Sequence, residues 1–279
     1  MSSPTTRVTT RAMTRVIPRT VSGRVGLALL LLVVLIALTG TWFAPHDPNR
    51  TLAAPYTPPS GRLPLGADFL GRDVLSRVLS GGRSVLLYSG LATLLAYAGG
   101  LTIGLVAGYS RSWLDSVLMR VVDVLLSFPA LVFLLLLATA AGRGIGSVVI
   151  ASAVVQLPPI ARIVKTAALE QSVRGYVEAA VARGESTFSV LRREILPNIS
   201  RTLAADIGLR FTWSVLLIAS VNFLGLGLQP PAADWGLMVS ENRGGAALNP
   251  SAMLIPAALL GVLTLAINLL GDDMSGGDR

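Results

Sequence analysis

Only 14% of this 279-residue chain is charged, yet Tyr176 to Asn198, YVEAAVARGESTFSVLRREILPN, holds three glutamates and three arginines. Side chains of these types offer charge-assisted hydrogen bonds and apolar docking, which is recognition rather than bond making. Tyr176 to Arg183 forms two helical turns, and Gly184 stops them because glycine readily enters the left-handed C-cap conformation. Ser186 or Thr187 caps a second helix. Phe188, Leu191 and Ile195 fall on one face of it at i, i+3 and i+7, and Pro197 forbids continuation. A helix–turn–helix with a narrow apolar stripe edged by arginines is shaped to dock into a partner.

Catalysis has little to build with. There is no cysteine and one histidine, His46, so thiolate chemistry, disulfides and a histidine metal cluster are excluded. A P-loop needs G-x-x-x-x-G-K-[ST], and the sole lysine, Lys165, follows Val164. If ATP drives this protein, another polypeptide hydrolyses it. We expect no catalytic residue, no metal ligand and no cofactor bound by this chain. A polytopic membrane enzyme remains a remote alternative, short of the histidine ligands or the base it would need.

The elements that hold the charged segment are apolar. Hydrophobic residues make up 52% of the chain, and the mean hydropathy is +0.67. The fold class expected is an all-α polytopic membrane protein. Six stretches approach the ~20 residues a bilayer crossing requires: 24–44, 84–109, 117–140, 145–164, 205–228 and 252–271. Pro158-Pro159 interrupts the fourth, which a membrane helix tolerates when neighbours satisfy the freed carbonyls. The net charge of +8 would suggest nucleic acid in a soluble protein. Here the cations sit between apolar spans, so topology explains them and the expected surroundings are a lipid bilayer.

Arginine and lysine counts set the orientation. Arg7, Arg11, Arg15, Arg19 and Arg24 precede the first span without an acid, which puts the 1–23 tail in the cytoplasm. Six crossings return the C-terminus there. The 165–204 loop, flanked by Arg162 and Arg210 and holding Lys165, Arg174, Arg183, Arg192, Arg193 and Arg201, lands on the same side. The 45–83 loop, outside, goes against the rule with five arginines, partly balanced by Asp47, Asp68 and Asp73. The tail is either a helix with its arginines on one face or, given Pro4 and Pro18, a disordered basic arm. The first span is too long for a cleaved signal peptide and reads as retained.

Polar residues inside spans are Asp123, Gln156, Asn222 and Asn268. Asp123 lies one turn from Arg120, so a local ion pair is expected. Asn222 either lines a pathway or makes an interhelical hydrogen bond.

The spacing Glu178-Ala179-Ala180, Gly184, Ile195-Leu196-Pro197 resembles the EAA loop of bacterial ABC importer permeases, which inserts a short coupling helix into the ATPase subunit. The resemblance implies coupling roles for Glu178, Ala179, Ala180, Gly184, Ile195 and Pro197, and a type I (MetI-like) permease core. PLGADFLGRDVLSRVLSGGRSVL, from Pro64, resembles the signature of the C-type permease in peptide and nickel importers. Its own pattern predicts an interfacial helix capped by Asp68, with Leu70, Val74 and Val78 on one face and Gly81-Gly82 at its end. FLGLGLQPPAADWGLMVSENR, from Phe223, is similar to the family's link between the last two spans. Gly225 and Gly227 read as helix-packing glycines, Pro230-Pro231 as the end of the span and Trp235 as part of an interfacial aromatic belt. That loop is either a docking site for a binding protein or purely structural. The final DMSGGDR departs from the family's tail.

The resemblance implies a bacterial inner-membrane permease of an ATP-driven importer. Its partners would be a B-type permease, two ATPase domains that bind ATP and Mg, and an extracytoplasmic substrate-binding protein. Di- or oligopeptides are the expected cargo; nickel chelates, glutathione or another small solute are alternatives. A passive channel would leave the docking loop without a purpose.

Overall fold

Where proline, glycine and polar residues interrupt apolar runs, the chain either bends or closes up, and those choices build the architecture. A computed structural model describes residues 20–110, 112–142 and 144–275. Helix α1 spans Val21–Phe43, α2 Val74–Ser110, α3 Trp113–Leu126, α4 Ala130–Ala140 and α5 Ile145–Ser172. Then come α6 Gly175–Ala182, α7 Thr187–Val190, a π turn at Leu191–Ile195, α8 Leu196–Phe223, α9 Trp235–Asn242 and α10 Ser251–Ser275. Among the described residues, β structure is limited to two isolated bridges, Thr51 with Arg72 and Ala67 with Asp73. The fold is all-α. Five helices are long and apolar enough to cross a membrane, and the bent pair α3 and α4 makes a sixth if it is one span.

Several expected boundaries move. The stretch 117–140 is broken by 96° between α3 and α4, because Pro129 has no N–H to continue the ladder, disfavours helical geometry in the residue before it and itself takes ψ 124°. Helix α5 runs unbroken through Pro158 and Pro159 to Ser172, eight residues past the expected end at 164; α2 and α8 pack along it. Helix α2 runs through Gly81-Gly82 instead of ending there. Those glycines make room rather than a stop: a Cβ on Gly82 would lie 2.5 Å from Trp235 Cζ2 and 2.9 Å from Ala37 Cα. Trp235 is therefore wholly buried and donates its indole N–H to Val78 O at 2.8 Å, instead of joining an interfacial belt.

Helices α2 and α5 are the most extensively packed pair and run parallel, Gly100 meeting Ile160, Gly104 Val164 and Gly108 Ala168. Gly100, Gly104 and Gly108 recur every helical turn along α2, and a Cβ on Gly104 would stand 2.5 Å from Val164 Cβ and 2.7 Å from Ala161 O. Small residues at this spacing let two backbones approach, which is how membrane helices associate without a hydrophobic driving force.

At one end of the bundle Thr20 N–H donates to Asp273 Oδ1 at 2.9 Å, joining the start of α1 to the end of α10. Both described chain ends thus lie on one side, the side that also carries the α5–α8 connection. The basic tail with Arg7, Arg11, Arg15 and Arg19, and the last four residues, lie outside the described residues.

Candidate coupling surface

The connection between α5 and α8 is a compact pair of helices. Helix α6 closes in a Schellman turn: Glu185 N–H donates to Ala180 O at 3.2 Å and Gly184 N–H to Val181 O at 2.9 Å. Gly184 takes φ +78°, the conformation that glycine alone adopts without strain. Ser186 then caps α7, accepting from Ser189 N–H at 3.3 Å. The Glu185 carboxylate braces this turn, accepting from Arg183 Nη2 at 2.6 Å and Ser189 Oγ at 2.9 Å, and these donors hold its carboxyl below the usual range.

The six residues singled out by spacing divide into two faces. Ala180 and Ile195 are wholly buried, packed with Val177, Val190 and Ile199 against α5. Glu178, Ala179, Gly184 and Pro197 are exposed. Glu178 has no side-chain partner among the described residues and borders a groove of about 390 Å³ with Tyr109, Ser172 and Val181. The expected stripe of Phe188, Leu191 and Ile195 does not form one face. The π turn at Leu191–Ile195 adds a residue to the winding, so Ile195 points into the chain's own core while Phe188 stays 71% exposed. Pro197 does not end the helix either. It sits in the first turn of α8, where no N–H is needed, and α8 continues to Phe223.

Inside the spans, Asn222 is wholly buried with both ends of its amide engaged. Its Nδ2 donates to Asp234 Oδ1 at 2.9 Å and its Oδ1 accepts from Leu228 N–H at 2.9 Å. The residue ties off the α8–α9 turn and, wholly buried, presents no surface to a passing ligand. Gly227 serves the same turn by leaving space for Asn222, and Gly225 bends it with φ +73°. Asp123 pairs not with Arg120 on its own helix but with Arg162 on α5, at 2.5 Å, because α5 packs alongside α3. One further link joins these helices, Lys165 to Asp115 at 2.5 Å. Asn268 remains exposed.

Residues 100–273 match the family described as binding-protein-dependent transport system inner membrane component. The chain belongs to this family. It is a permease of an ATP-binding-cassette transporter, a multi-pass inner-membrane protein that works with ATPase and binding-protein partners and carries no catalytic step itself. Residues 22–59 of the permease also match the N-terminal membrane domain of oligopeptide transport permease C. Among relatives, a glutathione transport system permease protein of Pectobacterium atrosepticum is 35% identical, over 89% of this chain and 83% of that one. A di/tripeptide transport system permease protein of Pseudomonas aeruginosa is 34% identical, over 89% and 84%. The methionine ABC transporter MetNI, in an inward-facing conformation, shares the fold with a TM-score of 0.59 and 22% identity, over 74% of this permease and 97% of the matched chain.

At the far end of the permease lies a polar cluster that spacing alone did not reveal. Arg72 bonds Asp68 at 2.7 Å and Glu241 at 3.2 Å; Arg77 reaches Asp68 at 3.3 Å and Glu241 at 3.1 Å. Both arginines are buried, and Arg77 also donates to three backbone carbonyls, those of Pro48, Pro231 and Ala232. Burial pushes the Glu241 carboxyl above the usual range in spite of the two guanidinium groups. This network clamps the 44–73 segment onto α9. It also explains why Asp68 is not the helix cap: Asp73 takes that role, accepting from Leu75 and Ser76 N–H, and α2 starts at Val74 with Leu70 left in the preceding turn. The arginines that violated the charge rule are thus partly internal. A paired acid four residues before an arginine was the available sequence signal.

Proposed function

We propose that this permease forms the pathway of an ATP-driven importer of di- or oligopeptides together with a second, B-type permease, and that residues 165–204 couple it to two ATPase domains. One observation carries the coupling assignment: a glycine-closed helical turn anchored by Ala180 and Ile195 while Glu178, Ala179 and Phe188 project outward. The buried half makes the turn rigid and continuous with α8, and the exposed half supplies a charge and an aromatic knob for a partner groove. When ATP closes the ATPases, force applied at Gly184 moves α8 through the π turn and Pro197 without first unfolding the loop.

The cation-rich 7–24 and 162–210 segments support cytoplasmic termini and a cytoplasmic coupling loop. The oligopeptide-type N-terminal segment and the di/tripeptide relative support peptides as cargo. Glutathione, itself a tripeptide, is the second reading, favoured by the Pectobacterium relative. An extracytoplasmic binding protein would deliver either.

Because the chain has no cysteine, a single introduced one reports cleanly. Phe188→Cys carrying a benzophenone maleimide should cross-link to an ATPase subunit in membranes, and Leu94→Cys, exposed midway along the α2 span, should not. Absence of the ATPase adduct at 188, or equal adducts at both positions, refutes the coupling assignment.

A further inference from the structure

We infer that the cavity between the α3–α4 bend, α5 and α8 is a binding station for the carboxylate end of a short peptide in transit, with Arg210 as the carboxylate anchor and Gln156 as acceptor for a peptide N–H. The inference rests on the peptide-transport reading above. The cavity, about 280 Å³, is walled by Phe128, Phe133, Pro159 and Trp213, and Gln156 and Arg210 bring an amide and a guanidinium to its lining.

Gln156 is 3% exposed. Its Nε2 donates to Ser214 Oγ at 2.6 Å, and Ser214 Oγ lies 2.8 Å from Thr93 Oγ1. That chain fixes the amide and leaves Oε1 buried with no partner. A buried acceptor without a donor is rare enough to require a cause. Arg210 lies eight residues into the Thr202–Phe223 span, about 12 Å from one end, a depth at which a cation is functional by default. Asp206 holds its Nε and Nη2 at 3.1 Å and also accepts from Tyr97 Oη at 2.6 Å. The fork is therefore fixed in orientation, and Nη1 has no described partner. A guanidinium edge recognises a carboxylate by geometry as well as charge.

A second observation says which way this surface faces. Gln156, Pro159 and Arg162 follow one another at i, i+3 and i+6 on α5, and the Arg162–Asp123 pair remains 56% and 57% exposed. Such a pair, about 15 Å up α3 from its start, cannot rest against acyl chains, so this face turns toward water or another protein. A larger cavity, between α1, α2, α8 and α10, is lined almost wholly by apolar groups such as Leu30, Val34 and Ile207. The walls of the smaller cavity are mainly aromatic and apolar. It would grip a peptide by its backbone and terminus and accept varied side chains.

The test uses the whole transporter in proteoliposomes, with radiolabelled dialanine and glutathione as probes. Uptake is measured beside ATP hydrolysis stimulated by the loaded binding protein. Gln156→Leu removes the acceptor; Arg210→Lys keeps the charge opposite Asp206 but loses the fork. Each should lower uptake of the transported probe about tenfold, the scale of one lost hydrogen bond, with stimulated ATP hydrolysis retained. Wild-type uptake in both variants overturns the station, as does a parallel loss of uptake and ATP hydrolysis, which marks a structural role. Failure of the unmodified transporter to import either probe instead overturns the peptide reading, and the station with it.

Discussion

Gly184 shows how much one residue decides. Nothing lies within 4 Å of a Cβ built on it, so a side chain meets no obstacle; the constraint is φ +78° alone. Gly184→Val should cost about 1–2 kcal/mol in the turn, the left-handed penalty of an L residue. It should abolish ATP-driven uptake while the protein still inserts and accumulates in membranes; normal uptake by this variant refutes the coupling role. Gly184 was legible because glycine after two helical turns has few other uses. Arg77 was not. Its burial needs Asp68 and Glu241, which are 173 residues apart in sequence, and no local pattern announces a pair that only folding creates.

At the scale of elements, apolar length marked every candidate span, while the breaks within and between spans were harder to read. Gly81-Gly82 and Pro197 look like stops by local propensity, but tertiary packing and a π turn override them. The glycines of α2 serve contact instead. Gly104→Leu should force α2 from α5, since even its Cβ would overlap Val164. Overpacking of this kind is worth about 1–3 kcal/mol. We expect a lower melting temperature in detergent than for Gly90→Leu, where no atom lies within 4 Å of the added Cβ. Equal melting temperatures for the two variants would mean that the seam does not hold the pair.

On the scale of the whole molecule, the Thr20–Asp273 link joins the described ends of the chain on one side of the bundle. Reporter fusions at the two termini should therefore report the same compartment, and we expect the cytoplasm from the arginine-rich flanks; opposite readings would exclude an even number of crossings. Composition and spacing by themselves pointed to an all-helical membrane protein, because hydropathy is a one-dimensional fact, whereas the lack of a catalytic step follows from the family to which the chain belongs. The tertiary structure alone decided which half of the α6–α7 segment is exposed, why Trp235 is buried, and that Gln156 and Arg210 line one cavity. Those outcomes depend on how separate helices are rotated and how closely they approach, and in the α6–α7 segment the winding of a single π turn sets which side chains face outward.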